Sequence, residues 1–160
     1  MDRVRQIITD VEYQLNLNKT KLAETDRLYC RHDYHHALSV ARLSYLIALE
    51  EGKSQLSKSV IYAAALLHDI GRWVEYANGE DHCEAGARLA ITILQRVGFS
   101  EDEQTIILAG IKEHRNPINS ALGHILARAD DLSRDCYRCS VISSCYKAEK
   151  MQKLHQQLIL

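Results

Sequence analysis

The sequence predicts an all-α fold, a single-domain helical bundle of about six to eight helices. One proline and seven glycines among 160 residues leave few chain breakers. Apolar residues recur at spacings of three and four, the period of a helix, and not at the spacing of two that a strand would need. The length predicts one domain, residues 1–160, able to bury roughly 70% of the surface its unfolded chain exposes.

The first helix is expected from about Asp2, a suitable N-cap, with Val4, Ile7, Ile8, Val11 and Leu15 on one stripe. A short helical piece is expected over Lys21 to Leu28. The next helix starts near Asp33, carries Val40, Leu43, Leu46 and Ile47 inward, and stops at Gly52. Ser57 opens a helix through SVIYAAALLH that is apolar on nearly every side, which places it at the centre of the bundle. A turn-rich segment with Gly71 and Asn78-Gly79 follows. The helix from Asp81 or His82 then runs through Leu89, Ala90, Ile93 and Val97 to Gly98. Ser100 with Glu103 forms a capping box, and the helix it opens ends near His114 before Asn116-Pro117. Further helices are expected from Ser120 to about Arg134 and from Ser143 to Gln157.

With 46% hydrophobic and 26% charged residues, the composition excludes disorder and low-complexity structure. No run approaches the ~18–20 consecutive apolar residues of a membrane helix. The opening MDRVRQIITD lacks the apolar stretch of a secretory signal, so a cytoplasmic location is expected. Lys plus Arg number 20 against 21 Asp plus Glu, a net charge of −1, which offers no general attraction to nucleic acid or anionic lipid. Five cysteines are an odd count for a disulfide framework and direct attention to thiol or metal chemistry.

Ligand-type side chains fall on the inward stripes. His36 leads Val40, Leu43 and Ile47 by four, seven and eleven positions, and His68 trails Ile61, Ala64 and Ala65 with Asp69 directly after it. His82 shares a stripe with Gly86, Leu89 and Ile93, His114 with Ile107, Gly110 and Ile111, and Asp130 with Gly123, Leu126 and Ala127. Buried carboxylates and imidazoles need partners, and a shared cation supplies one. The mixture suits Mn, Fe, Co, Ni or Zn, whereas a Mg or Ca cage would use oxygen alone. Each histidine taken singly also fits a core residue bonded to backbone. The small residues Ala64, Ala65, Gly86, Gly110 and Gly123 are expected to leave room for a cavity.

The segments HHALSVARLSYLIA, AALLHDIGRW, DHCEAGA, IKEHR and LARADDLSR are similar, in order and spacing, to the HD-domain superfamily of metal-dependent phosphohydrolases. The resemblance covers about residues 30–135, with a helical N-terminal extension and a Cys-bearing C-terminal one outside it. It implies an all-helical domain in which His36, His68, Asp69 and Asp130 hold one metal. In branches with two metals it implies that His82 and His114 complete a second site with Asp69 as the bridge. A divalent cation lowers the pKa of bound water for attack on phosphorus, and a second steadies the phosphoryl oxygens. Arg72 and Arg115 are the nearest candidates to assist Asp69 in catalysis, as donors to the transferred group, with surface cations as the alternative. The family often has lysine after the late aspartate, where this chain has Asp131, so an assisting cation at that point is in question.

His35 points about 100° from His36, while His32 and Asp33, one turn earlier, could orient it. Cys136, Cys139 and Cys145 form a C-x2-C-x5-C run, and with Cys30 they would make a second, sulfur-based site for zinc or an iron–sulfur cluster. Half-buried thiols packing the last helix are the alternative. Cys83 reads as helix packing.

Three functions follow as expectations. The first is a phosphohydrolase that takes a small phosphorylated metabolite or nucleotide and one or two divalent transition-metal ions; the balanced charge argues against long nucleic acid. The second is a di-iron HD-type oxygenase, and the third a non-catalytic sensing module built on the cysteines. Oligomeric state stays open.

Overall fold

The computed structural model describes residues 1–156 and is built of α1 (Asp2–Thr9), α2 (Val11–Ala23), α3 (Tyr34–Glu50), α4 (Lys58–Leu67), α5 (Arg72–Asn78), α6 (His82–Arg96), α7 (Glu101–Glu113), α8 (Ala121–Leu132) and α9 (Ala148–Gln156). No strand occurs among the described residues, and none of their helices is long and apolar enough to cross a membrane. Helix α4 takes the central place its all-round apolar sequence predicts, in contact with α1, α3, α6 and α7. Ser57 starts it by accepting from the Val60 amide, and Val60, Ile61 and every residue from Ala63 to Leu67 are buried. Each large aliphatic side chain buried in this way stabilises the fold by roughly 1.5–3 kcal/mol. The Ser100–Glu103 capping box is formed in full at the start of α7.

The N-terminal segment departs from expectation. The single stripe from Asp2 to Leu15 is broken at Asp10, whose extended backbone ends α1 and whose side chain accepts from the amides of Glu12 and Tyr13 to start α2. A capping aspartate beats continued helical propensity here because it satisfies two otherwise orphaned amides. The break turns the stripe, so Val4 and Ile7 are buried while Val11 and Leu15 face solvent, and Asp2 is the first helical residue and not the cap. No separate helix covers Lys21 to Leu28; α2 runs to Ala23 and the chain then turns. Leu46, expected inward, is exposed.

The segment read as turns between Gly71 and Gly79 contains α5, which Trp73 fastens to α2 by donating to Asn16 Oδ1 at 2.9 Å. A Cβ at Gly71 would lie 2.4 Å from both Gly86 N and His82 O, so glycine is what allows the α5 start to touch the α6 start. Gly110 likewise lies where a Cβ would meet Leu122 Cγ at 2.9 Å. Gly86, Gly110 and Gly123 thus stand where neighbouring segments come close. At the C-terminal side, the helix expected from Ser143 begins only at Ala148, after short 3-10 turns at Cys136–Arg138 and Ile142–Ser144; its expected end at Gln157 lies outside the described residues.

Candidate metal centre

Helix ends aim the ligand-type side chains at one point. His36 lies in the first turn of α3, where Asp33 caps the helix by accepting from the His36 amide at 2.9 Å. His68 closes α4, Asp69 follows in the turn, and Arg72 opens α5. His82 opens α6, His114 closes α7, and Asp130 sits in the last turns of α8. The structure thus brings together all six residues that the inward stripes single out. His68 and His82 are fully buried, and Asp69 is 7% exposed.

Asp69 is the hub. Its Oδ2 stands 3.0 Å from His68 Nε2 and 3.6 Å from His36 Nε2, and His36 Nε2 is 3.0 Å from Asp130 Oδ1. Its Oδ1 stands 3.5 Å from His82 Nε2 and 3.7 Å from His114 Nε2, and these two nitrogens are 3.3 Å apart. Two ligand clusters therefore share one carboxylate, with one oxygen turned to each.

The opposite ring nitrogens are held from outside. His68 Nδ1 is 2.7 Å from the Ala65 carbonyl and His114 Nδ1 is 2.6 Å from the Ile111 carbonyl, so each donates there and turns its Nε2 to the cluster, His68 with its lone pair. Ser133 Oγ lies 3.1 Å from His36 Nδ1. Glu75 Oε2 stands 2.8 Å from His82 Nδ1 but off its N–H direction. With these roles fixed, His68 Nε2 and Asp69 Oδ2 are two buried acceptors 3.0 Å apart, and neither has a hydrogen-bond partner. Two lone pairs pointed at each other in a dry interior are costly unless a cation lies between them. The donor set of imidazole nitrogens and carboxylate oxygens fits a divalent transition metal.

The charges agree. Burial pushes the Asp69 carboxyl up, but His68, Arg72 and His32 around it hold it well below the ordinary carboxylate range. Burial and the nearby Arg72 bring His82 down to about 4. Burial opposes charge on His114 as well, yet hydrogen bonding to Asp69 and Cys83 raises it to about 9.

Arg72 donates Nε to Asp69 Oδ1 at 2.8 Å and Nη1 to Glu75 at 3.2 Å, which fixes the Asp69 carboxylate. Arg115 reaches Glu75 at 3.0 Å and Asp81 at 3.3 Å and is half exposed at the rim. Asp131 turns away from the centre to pair with Lys147 and Lys150, so the acidic residue beside Asp130 anchors the α9 end instead of adding charge to the site. The cation that Asp131 put in question is provided by Arg134, whose Nη2 is 2.9 Å from both Asp130 Oδ1 and His36 Nε2. Arg134, Ser133 and Glu75 are not singled out by the sequence. Their signal is spacing: Arg134 is four residues and Ser133 three after Asp130, and Glu75 is three after Arg72, each one turn along.

His32 is buried against Glu24 and lies 4.0 Å from Asp69 Oδ2, so it faces the aspartate and does not hydrogen-bond to the His36 ring. His35 is exposed. Cys30 is stitched to the cysteine run through both neighbours: Tyr29 Oη donates to the Ser144 carbonyl at 3.1 Å and Arg134 Nη1 to the Arg31 carbonyl at 3.1 Å. Burial pushes the Cys136 thiol up, and Cys30, Cys139 and Cys145 push it further. Among the described residues, no three of these four sulfurs stand within 4.8 Å of one another as the imidazole and carboxylate clusters do.

The HD domain profile matches residues 33–135, the stretch that contains all six of these histidines and aspartates. The chain belongs to the HD domain family. An uncharacterized protein of Clostridium beijerinckii is 39% identical over 145 residues, 91% of this chain and 92% of that one. The crystal structure of a predicted HD superfamily hydrolase from an uncultured Thermotogales bacterium superposes with a TM-score of 0.64 at 30% identity, over 91% of this chain and 86% of its own. Ribonuclease Y of Enterococcus faecalis is 31% identical over 108 residues, 66% of this HD chain, which spans only 18% of that enzyme.

Proposed function

We propose that this HD domain is a divalent-metal-dependent phosphohydrolase acting on a small phosphorylated metabolite or nucleotide. The observation that carries the reading is the Asp69 carboxylate turned with Oδ2 to the His36, His68 and Asp130 cluster and Oδ1 to the His82 and His114 pair. His36, His68, Asp69 and Asp130 would hold one ion, and His82 and His114 with Asp69 a second. Bound there, divalent ions supply a water of lowered pKa and neutralise phosphoryl oxygens. The chain's own groups do the rest. Arg72 fixes the bridging carboxylate, and the carbonyls of Ala65 and Ile111 set the rings of His68 and His114. Arg115 at the rim and Arg134 at Asp130 offer guanidinium donors to a phosphate that reaches the centre. The hydrolase name of the structural relative, and the ribonuclease and uridylyl-removing names of partial relatives, agree in kind with this chemistry. The net charge of −1 favours a small substrate over a polyanion.

The test uses the full chain, purified anaerobically and loaded in turn with Mn, Fe, Co, Ni and Zn, against phosphomonoesters, phosphodiesters and nucleotides. Metal-dependent phosphate or nucleotide release, lost in Asp69→Ala, is the expected result. Oxygen uptake by the iron form without any phosphoester cleavage would select the oxygenase reading instead.

A further inference from the structure

We propose that Cys83 is a protein ligand of the ion held by His82 and His114, which makes that position a mixed nitrogen, sulfur and oxygen site selective for zinc, iron or cobalt over manganese. The inference rests on the two-ion reading above.

Cys83 follows His82 at the start of α6, where Asp81 accepts from the Cys83 amide at 2.7 Å. Consecutive helical side chains normally diverge by about 100°. Here the His82 ring curls back so that its Nε2 lies 3.6 Å from Cys83 Sγ and 3.3 Å from His114 Nε2. The three donor atoms lie within 4.8 Å of one another, all on buried residues. A tetrahedral ion with bonds of about 2.0–2.1 Å to nitrogen and about 2.3 Å to sulfur sets edges of about 3.3 Å between two nitrogens and about 3.6 Å between nitrogen and sulfur. The two measured edges match. Asp69 Oδ1 lies 3.5 and 3.7 Å from the two nitrogens and supplies the oxygen donor. A thiol that only filled space would not need its sulfur at this distance from the His82 nitrogen. Thiolate is a soft donor that favours zinc, iron and cobalt, whereas the His36, His68, Asp69 and Asp130 cluster has no sulfur and tolerates harder ions.

The sequence has five cysteines, so the full chain carrying Cys30→Ser, Cys136→Ser, Cys139→Ser and Cys145→Ser keeps Cys83 as its one thiol. This parent is stripped of metal and titrated anaerobically with Co²⁺ to two equivalents. Cobalt d–d absorption accompanied by an intense near-ultraviolet thiolate-to-cobalt band is expected, and further substitution Cys83→Ser removes that band while d–d absorption remains. Preference for Zn over Mn at this position falls by roughly tenfold or more with the same change. X-ray absorption of the zinc-loaded parent, which does not depend on the Cys83→Ser variant folding, shows a sulfur neighbour at about 2.3 Å. Cobalt d–d bands in the parent without the charge-transfer band, or zinc with no sulfur neighbour, overturn the role of Cys83 and leave the two-ion reading standing. No cobalt binding at all overturns both.

Discussion

Arg134 Nη2 lies 2.9 Å from Asp130 Oδ1, and the same nitrogen is 2.9 Å from His36 Nε2. A guanidinium therefore rests on two of the groups assigned to the first ion, one turn beyond the aspartate on α8. It competes with a cation for those groups, and once displaced from them it is placed to meet a phosphate. Arg134→Gln should separate these effects. Affinity for the first ion rises about tenfold, about 1.4 kcal/mol, because a competing charge is gone. At saturating metal, kcat/KM for a phosphorylated substrate falls about tenfold or more, because a charged hydrogen bond worth roughly 1.5–3 kcal/mol is lost. Calorimetric metal titration and steady-state kinetics check the pair, and a fall in both quantities would contradict the arrangement.

Gly71 ties the packing of the bundle to the second ion position. A Cβ there would press on Gly86 N and His82 O at 2.4 Å, and both are backbone atoms that cannot swing aside. Gly71→Ala is expected to cost on the order of 1–3 kcal/mol in urea unfolding. It should also push the α6 start outward with His82, so that elemental analysis finds the ion at His82 and His114 depleted before the one at His36, His68 and Asp130.

Acid stability should depend on Glu24, a buried carboxylate on the far side of His32 from Asp69. Burial pushes its carboxyl up, but hydrogen bonds and charge from His32, with help from Tyr76, bring it down from 4.5 to about 2. The folded value is the lower one, so the stabilisation is present in full above the unfolded value and is lost as pH falls toward the folded one. Urea unfolding of the wild type and Glu24→Gln should show a stability difference that is largest above about pH 5 and shrinks as pH falls toward about 2. A difference that does not vary with pH would contradict it.

The fold and the histidine and aspartate cluster were legible where one local rule acts alone. The all-round apolar run of α4 fixes its central place, and Ser100 with Glu103 fixes the start of α7. His36, His68, His82, His114 and Asp130 stand out because an imidazole or carboxylate on an inward stripe is conspicuous against its apolar neighbours, and Asp69 because it follows His68. Asp10 was not legible as a break, since a polar residue between Thr9 and Val11 fits a continuous helix as well as a cap. Helix α5 was hidden by glycines that serve close packing at Gly71 and a left-handed helix end at Gly79. Arg134 and Glu75 look like ordinary surface charges along the chain, and only the meeting of α3, α5, α6 and α8 gives them their partners. Cys83 was read as packing because consecutive helical residues seldom face one point, and the curl of the His82 ring that overrides this is a tertiary feature.

The most direct test is the metal content of the protein itself. Anaerobic purification of the full chain followed by elemental analysis should find divalent transition metal at up to two ions per chain. Asp69→Ala, which removes both oxygens shared by the two clusters, should retain neither ion while circular dichroism shows its helicity nearly intact. Full metal occupancy in that variant, or a wild-type chain that takes up no divalent ion when one is supplied, would contradict the account.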